Sequence, residues 1–464
     1  MTSETQLDQR SDMTNFIRKN QSIWSGLWPL VACIWLMMIF TFSPPEDWKQ
    51  GKYGTDSILP PNVIKAGKLA ARGMCLALLT LSTFSVLRNR DGGRKLLVFS
   101  PLVLFTAWII CSTFWSPLKS ISLQQAGSFF IVVMFAFVCS MRCKTEKSIS
   151  VLLFNATFVL MLLSAGLLVL RFAAPQYGAL TKVSSGLFHS TTAGSSASLG
   201  IILTLGCLIV FRWRWCIWLI VPALMFEVPV LILAGNRMSI LLTIVAAVFL
   251  VVFFSRKQEV ALLGVVAAAL GLIYLVVDPR IGALDPVTKR VEKYSKQGQT
   301  TAQLKTISGR TEMWSKMISS FKKSPWIGHG HFVTSETGRI NVWGEWGNWT
   351  AHNMYLQILV TTGIIGALLF SGVALVPLVL LFRCYGKPRV RFFLGTIGFW
   401  FAGWGILNST IVGPIQPESV VFGLIYGISI AFALAEESSP QTTTTPNSIA
   451  ANPSDPDQRS LACI

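Results

Sequence analysis

Charged side chains are scarce in this chain of 464 residues: they make up 13% of it, and only 21 residues are acidic. Hydrophobic residues make up 52%, and the mean hydropathy is +0.57. The apolar runs repeatedly reach the ~20 residues that a helix needs to cross a bilayer. This composition excludes an ordinary soluble protein and predicts an all-α polytopic membrane protein.

Metal-binding residues are also few. The nine cysteines include no CxxC pair, five lie within apolar runs, and none lies in the longest polar connection, so we expect neither a disulfide framework there nor a cysteine metal site. There are only four histidines, namely His189, His329, His331 and His352. His329 and His331 are two residues apart with no assured third ligand, which is a weak metal signal. We therefore assign no metal and no cofactor.

The apolar runs predict about twelve transmembrane helices. The first follows a polar N-terminus and has no small-residue cleavage site, so the run from Ile23 to Phe40 is interpreted as a retained signal anchor. The predicted spans are 23–43, 69–87, 96–115, 121–141, 150–170, 193–211, 216–234, 238–255, 259–277, 353–382, 392–411 and 419–435.

Basic residues alternate between the connections. Although the formal net charge is +18, cations in a membrane protein collect in cytoplasmic loops for topological reasons, so nucleic acid binding is not implied. The connection from Pro44 to Lys68 is an exception, with four lysines on the predicted outer side. The cytoplasmic clusters are Arg88, Arg90, Arg94 and Lys95; Arg142, Lys144 and Lys147; Arg212 and Arg214; Arg256 and Lys257; and Arg383, Lys387, Arg389 and Arg391.

This alternation predicts five regions. A cytoplasmic tail, 1–22, precedes spans 1 to 9 at 23–277; a large extracytoplasmic loop with an amphipathic helix follows at 278–351; spans 10 to 12 occupy 352–435. The tail at 436–464 is rich in Ser, Thr, Pro and Asn and is predicted to be disordered and cytoplasmic.

Two arginines and all four histidines fall on the predicted outer side, where a reaction centre at the membrane boundary is the simplest interpretation; loops collect polar residues in any case. Arg237 lies in the tight turn Gly235-Asn236-Arg237 between two spans. An arginine at that boundary either snorkels or binds an anion.

Arg310 lies in the first turn of a predicted amphipathic helix, capped by Ser308 or Gly309 and stopped by Pro325. One face of this helix carries Met313, Trp314, Met317, Ile318 and Phe321, which is typical of an interfacial helix. A helix N-terminus with an arginine fork matches a phosphate or pyrophosphate ligand. Alternatively, Arg310 pairs with Glu312 or Glu345.

His352 opens the tenth span, where a neutral imidazole is suited to accept a proton from a hydroxyl. Alternatively, it is a capping or interfacial histidine. Trp343, Trp346 and Trp349 recur at every third residue and are interpreted as an interfacial anchor or a sugar-stacking surface.

Three segments in order, SGRTEMW, SPWIGHG and AHNMYLQILVTTGIIG, with AGNRMS upstream, resemble the O-antigen ligase and polymerase family of bacterial envelope enzymes. The resemblance covers about residues 185–370. It implies inverting, metal-independent glycosyl transfer from a polyprenyl-diphosphate-linked oligosaccharide to a glycan or lipid acceptor. The reaction would occur at the outer, periplasmic face of the inner membrane and would polymerise or ligate a surface polysaccharide, such as an exopolysaccharide or lipopolysaccharide.

By the same resemblance, Arg237 and Arg310 bind the diphosphate, His352 orients or activates the acceptor hydroxyl, and Trp314 and Asn353 complete the substrate site. Family members often carry lysine-asparagine or proline-asparagine after a glycine-aromatic motif, whereas this chain has GLFHSTTAG. No role is therefore assigned to His189.

A second function class stays open: a multi-pass solute transporter or channel with an outer gating loop. Such proteins place polar residues near the bilayer midplane, whereas Glu227 is the only acidic residue well inside a predicted span. The clustering of polar groups at one face favours the enzyme. The sequence leaves polymerase or ligase, the sugars, the acceptor and the oligomeric state undecided.

Overall fold

The computed structural model describes ten stretches of the chain, and within these stretches it contains helices and no strands. The described residues are 26–41, 61–87, 96–143, 145–173, 190–210, 217–254, 310–333, 351–383, 388–408 and 411–437.

Twelve α-helices follow one another along these stretches. A π-helical segment, Gly206–Val210, continues the sixth. In chain order the helices are α1 Gly26–Ile39, α2 Pro61–Leu87, α3 Ser100–Cys111, α4 Lys119–Arg142, α5 Glu146–Ala173, α6 Ser190–Leu205, α7 Ile217–Ala234, α8 Arg237–Phe254, α9 Arg310–Phe321, α10 Met354–Arg383, α11 Pro388–Leu407 and α12 Pro417–Glu437.

Eight of these helices are long and apolar enough to cross a membrane, and α1, α3 and the apolar part of α7 are shorter apolar helices. The predicted all-α polytopic membrane fold is therefore confirmed. These eleven helices coincide with eleven of the predicted spans, and the predicted span 259–277 lies outside the described residues. The predicted loop and terminal tails fall largely outside them too.

Several helices begin earlier than the apolar pattern predicts, and α2 and α5 are two examples. Helix α2 starts at Pro61 rather than near residue 69, and α5 starts at Glu146 rather than near 150. A proline is well suited to the first turn of a helix, and a glutamate there complements the helix dipole. Polar first turns extend these helices beyond the apolar stretch.

Helix α6 is the centre of the bundle, and every residue in it except the half-buried Thr191 is buried. It packs against α5, α7, α8 and α12. Its first part, STTAGSSASLG, consists mostly of small residues that let neighbouring backbones approach closely. Within this core, Ser198 Oγ lies 2.5 Å from Thr243 Oγ1 of α8 and accepts a hydrogen bond of 2.8 Å from Trp400 Nε1 of α11.

Polar contacts identify which helix termini share one end of the bundle. Thr192, near the start of α6, donates to Gln416 Oε1 before α12 at 3.3 Å. Ser122, near the start of α4, donates to the carbonyl oxygen of His331 at 2.8 Å. We call the end of the bundle that contains Thr192, Gln416, Ser122 and His331 the site end. At the opposite end, Arg142 Nη2 donates to Ser85 Oγ at 2.6 Å and joins the C-termini of α4 and α2.

Candidate functional site

Helix α9 docks against the first half of α10. Met317 is buried, and Trp314 and Phe321 pack with it against Ala351 and Val360. Ile318, which the sequence pattern assigns to the same apolar face, is 46% exposed. The apolar face is therefore narrower than predicted, and it fixes α9 to the rest of the protein.

Helix α10 is broken at Gly363, where φ is 70° and ψ is −172°. Three carbonyl oxygens before the break accept hydrogen bonds from outside the helix. His329 N donates to Val360 O at 3.2 Å and Gly330 N donates to Thr361 O at 2.9 Å, while Trp108 Nε1 donates to Thr362 O at 2.9 Å. These bonds satisfy backbone groups that a break in a span would otherwise leave without partners.

The N–H groups after the break are satisfied by the same neighbouring segment. Ile364 N donates to Pro325 O at 2.8 Å, and Ile365 N donates to Trp326 O at 3.3 Å. The motif SPWIGHG, residues 324–330, is thus joined to α10 by its backbone. Sequence reasoning predicted one continuous span here and missed the break.

Two glycines make this joint possible. A Cβ atom at Gly363 would collide with the carbonyl group of Trp326, and one at Gly328 would collide with the backbone of Thr361. Both also have positive φ, 70° and 69°, which disfavours any side chain. Glycines within TTGIIG and SPWIGHG were the available sequence signal for close backbone contact.

Arg310 is the first residue of α9, in agreement with the predicted helix start. Its Nη1 donates a hydrogen bond of 3.3 Å to the carbonyl oxygen of Leu407, the last residue of α11. The side chain is half-buried, and burial lowers the pKa of Arg310 below its usual value. An arginine keeps its proton at neutral pH even so, and an anion beside it would offset the desolvation.

His352 has φ 47°, in the left-handed region, and both of its neighbours are held in place. Trp314 Nε1 donates to Ala351 O at 2.8 Å, and Ala351 N donates to Gln357 Oε1 at 2.9 Å. On the other side, Asn353 Oδ1 caps α10 by accepting the N–H of Leu356 at 2.9 Å. The partly exposed imidazole of His352 therefore projects from a fixed backbone.

The start of α10 lies beside the end of α11. Tyr355 OH donates to Ala402 O at 3.0 Å, and the side chain of Met354 fills the space next to Gly405. Arg310 bonds to Leu407, only two residues further along α11. The structure thus brings Arg310 and His352 to the same terminus of α11.

Arg237 is the first residue of α8 and is exposed. The predicted tight turn precedes it, with Gly235 at φ 63° and Asn236 Oδ1 accepting the N–H of Ser239 at 3.2 Å. The side chain of Leu242 fills the space next to Gly403 of α11, so the start of α8 lies at the end of α11. Arg237 therefore shares the site end with Arg310, on a separate helix.

His329 and His331 do not converge on a common point. His329 Nε2 lies 2.9 Å from Ser320 O, while His331 Nε2 donates to Val412 O at 2.9 Å. In the part of the chain that the structure describes, no group of three metal-binding side chains occurs. His331 is buried, which lowers its pKa to about 4 and keeps it neutral.

Several predicted features lie outside the described residues. They are His189, the caps Ser308 and Gly309, Glu345, and the tryptophans Trp343, Trp346 and Trp349. The predicted alternative, in which Arg310 pairs with Glu345, therefore involves a residue outside the described part of the chain.

Glu227 lies deep in the bundle, away from the site end. It is fully buried in α7 between Pro222 and Pro229, and Thr204 Oγ1 of α6 is 3.5 Å from its Oε2. Its carboxyl group packs against Gly200. Ala234, the last residue of α7, is seven positions further along, which corresponds to ~10 Å along a helix. It does not contribute to the cluster at the site end.

Residues 222–371 of the chain match the family model described as O-antigen ligase, Wzy_C. The matched region begins in α7 and ends in α10, so it contains Arg237, Arg310 and His352. No curated protein sequence matches the chain significantly.

Proposed function

We propose that this chain carries out a specific form of glycosyl transfer in surface polysaccharide assembly, which is supported by the match of residues 222–371 to the O-antigen ligase model that its motifs predict. The donor is a polyprenyl-diphosphate-linked oligosaccharide, and transfer inverts the anomeric centre without a metal ion. The site end faces the periplasm from the bacterial inner membrane. The product is a polymerised or ligated surface polysaccharide.

The observation that carries this proposal is the pairing of a fixed arginine with a fixed histidine at the terminus of α11. Arg310 is held by Leu407, and the residues flanking His352 are held by Trp314 and Gln357. The arrangement suits a reaction in which one group leaves with negative charge and another loses a proton. Fixed groups of this kind need no reorganisation as charge develops.

In the proposed step, the acceptor hydroxyl oxygen attacks the anomeric carbon of the donor while the bond to the diphosphate oxygen breaks. The hydroxyl proton passes to His352, and the electron pair of the broken bond leaves with the diphosphate. The guanidinium groups of Arg310 and Arg237 stabilise that charge. A single displacement from the opposite face inverts the anomeric centre.

Trp314 and Asn353 belong to the proposed substrate site in two ways. Their hydrogen bonds to Ala351 and Leu356 position the backbone around His352. The half-buried indole of Trp314 also offers a ring face to a sugar, and the Asn353 amide offers a donor.

The helix break in α10 does not favour the transporter alternative. In transporters, a broken helix near the midplane exposes its free backbone groups to a substrate or ion. Here residues 324–330 and Trp108 bond to the backbone groups around Gly363. The break therefore attaches residues 324–330 to α10 and leaves these backbone groups unavailable to a substrate.

Reconstitution tests the proposal directly. The purified full chain in liposomes is given a lipid-diphosphate-linked oligosaccharide and an acceptor, with a chelator present, and the products are separated by size. We expect transferred or extended glycan with inverted linkage. Absence of transfer with every acceptor tried, or transfer only after a divalent cation is restored, would contradict the proposal.

The glycans that accumulate in a deletion strain distinguish the two forms of the activity. Single repeats on lipid carrier or acceptor indicate a lost polymerase. Long chains without an acceptor indicate a lost ligase.

A further inference from the structure

The backbone groups of Ala351, the residue before His352, are held by side chains from two helices. Trp314 Nε1 of α9 donates to Ala351 O at 2.8 Å, and Gln357 Oε1 of α10 accepts the N–H of Ala351 at 2.9 Å. Ala351 is buried, so both of its backbone groups need partners within the protein. His352 follows with φ 47°, a strained conformation that persists only where the surrounding structure fixes it.

Gln357 is itself fixed at both of its backbone groups. Its N–H donates to Asn353 O at 2.9 Å, and its carbonyl oxygen accepts a hydrogen bond of 2.7 Å from Thr361 Oγ1. The carbonyl oxygen of Thr361 in turn accepts the N–H of Gly330 at 2.9 Å. The side chain that holds Ala351 is therefore anchored to the joint between α10 and residues 324–330.

These bonds also connect the two candidate catalytic residues. Trp314 lies on α9 one turn after Arg310, and it bonds to the residue before His352. Gln357 bonds to that same residue from α10. The position of His352 relative to Arg310 therefore depends on the two bonds at Ala351.

We propose that Gln357 is a positioning residue for glycosyl transfer: its amide oxygen fixes the backbone before His352 and thereby directs the imidazole toward the acceptor hydroxyl. This inference rests on the proposed function. Gln357 is only 1% exposed, so it acts through His352 and does not touch a substrate. A glutamine that reaches back to an N–H before its own helix resembles one half of a capping box, which fixes the chain where it enters a helix.

Removal of the amide oxygen tests this role. Gln357→Met keeps the length of the side chain and removes the acceptor oxygen, and kcat and KM are measured on the lipid-linked donor in liposomes. Because a catalytic group displaced by ~1 Å loses much of its effect, we expect kcat to fall by ~10 to 10²-fold. KM should stay at the wild-type value, since the buried side chain makes no contact with the donor.

Gln357→Glu keeps an acceptor oxygen at the same distance from the backbone and should recover most of the lost kcat. A rate for Gln357→Glu as low as that of Gln357→Met would show that the acceptor oxygen does not position His352. Gln125→Met is the matched control. Gln125 is also a buried glutamine, in α4, but its Oε1 accepts no hydrogen bond from the described residues, so kcat and KM should not change.

A double-mutant cycle with His352→Asn separates positioning from general damage to the fold. If Gln357 acts through His352, Gln357→Met should cause no further loss of rate once His352 is replaced. Single-turnover rates and melting temperatures are compared for the wild type, the two single variants and the double variant. An equal fold-loss in both backgrounds, or a wild-type kcat for Gln357→Met, would overturn the inference.

Gln357→Asn takes the place of Gln357→Met if that variant does not fold. It keeps the amide and withdraws its oxygen from Ala351 by one methylene, so the same cycle applies and the same outcomes decide. If the wild-type protein does not transfer glycan, the proposed function fails. If the wild type transfers glycan and His352→Asn is impaired, but the two substitutions act independently, only the positioning role of Gln357 fails.

Discussion

The guanidinium of Arg310 donates to the carbonyl oxygen of Leu407 across 3.3 Å, which joins the first residue of α9 to the last residue of α11. Carbonyl groups in the last turn of a helix have no partner within that helix. The bond therefore provides a partner for the carbonyl group of Leu407 at the end of α11. It also fixes the position of the Arg310 guanidinium. Since α9 also packs on α10, the cation is held where three helices meet.

We expect Arg310→Ala to lower transfer by ~10² to 10³-fold, because a stabilising group for the departing diphosphate is lost. Arg310→Lys should give an intermediate rate, since it keeps the charge and loses the planar fork of donors. The rates are measured on the lipid-linked donor in liposomes. Lys322→Ala is the matched control, because it removes an exposed cation immediately after the same helix. Wild-type rates for Arg310→Ala would show that Arg310 does not bind the leaving group.

His352→Asn should lower kcat by ~10² to 10⁴-fold, the usual contribution of a general base. Asparagine tolerates the left-handed backbone that His352 adopts at φ 47°, so the melting temperature should stay near that of the wild type. Single-turnover rates and thermal unfolding measure the two effects. Substantial unfolding would point to a structural role for His352, and full activity would exclude the proposed proton transfer.

Gly363→Ala should destabilise the protein by more than ~1 to 3 kcal/mol, the usual cost of a strained backbone residue. Its φ is 70°, and the new methyl group would also collide with the carbonyl of Trp326. Thermal unfolding in detergent measures the change. Gly166→Ala, which meets nothing, should be neutral or stabilising. Equal melting temperatures for the two variants would show that the joint at Gly363 is not rigid.

Stability should fall as the pH is lowered from about 6.5 towards about 4, because burial depresses the pKa of His331 to about 4 from 6.5. Between these values the unfolded chain binds more protons at this position than the folded chain, so unfolding becomes easier with falling pH. The full effect corresponds to roughly 3 kcal/mol. Unfolding temperatures of the wild type and of His331→Gln are compared at pH 7.5 and 5.

In that comparison, the variant should lose part of the wild-type difference between the two pH values. His331 Nε2 already donates to Val412 O, and Nδ1 is buried without a partner among the described residues, so a second proton has no acceptor there. An identical pH dependence in both proteins would show that His331 titrates normally.

Local sequence signals predicted the helices and several site features. Apolar runs of bilayer length predicted the helical membrane fold, because a span must satisfy its own backbone groups wherever it meets lipid. The start of α9 at Arg310 and the turn before Arg237 were predicted because they depend on short-range preferences for caps and glycine turns. The roles of Arg310, Arg237 and His352 came from the family resemblance and stay predictions.

The sequence by itself thus determined that the protein is a bundle of membrane helices with polar residues between them, since helix capping acts within one turn and hydropathy within one span of ~20 residues. Only the tertiary structure decided that residues 324–330 join α10 at Gly363, that Arg310 is fixed by Leu407, and that the space beside Gly395 and Gly398 stays open. Each of these depends on groups that are distant along the chain. The break at Gly363 and the open space beside Gly395 and Gly398 have no distinct local sequence pattern. Both depend on which other parts of the chain pack against these glycines.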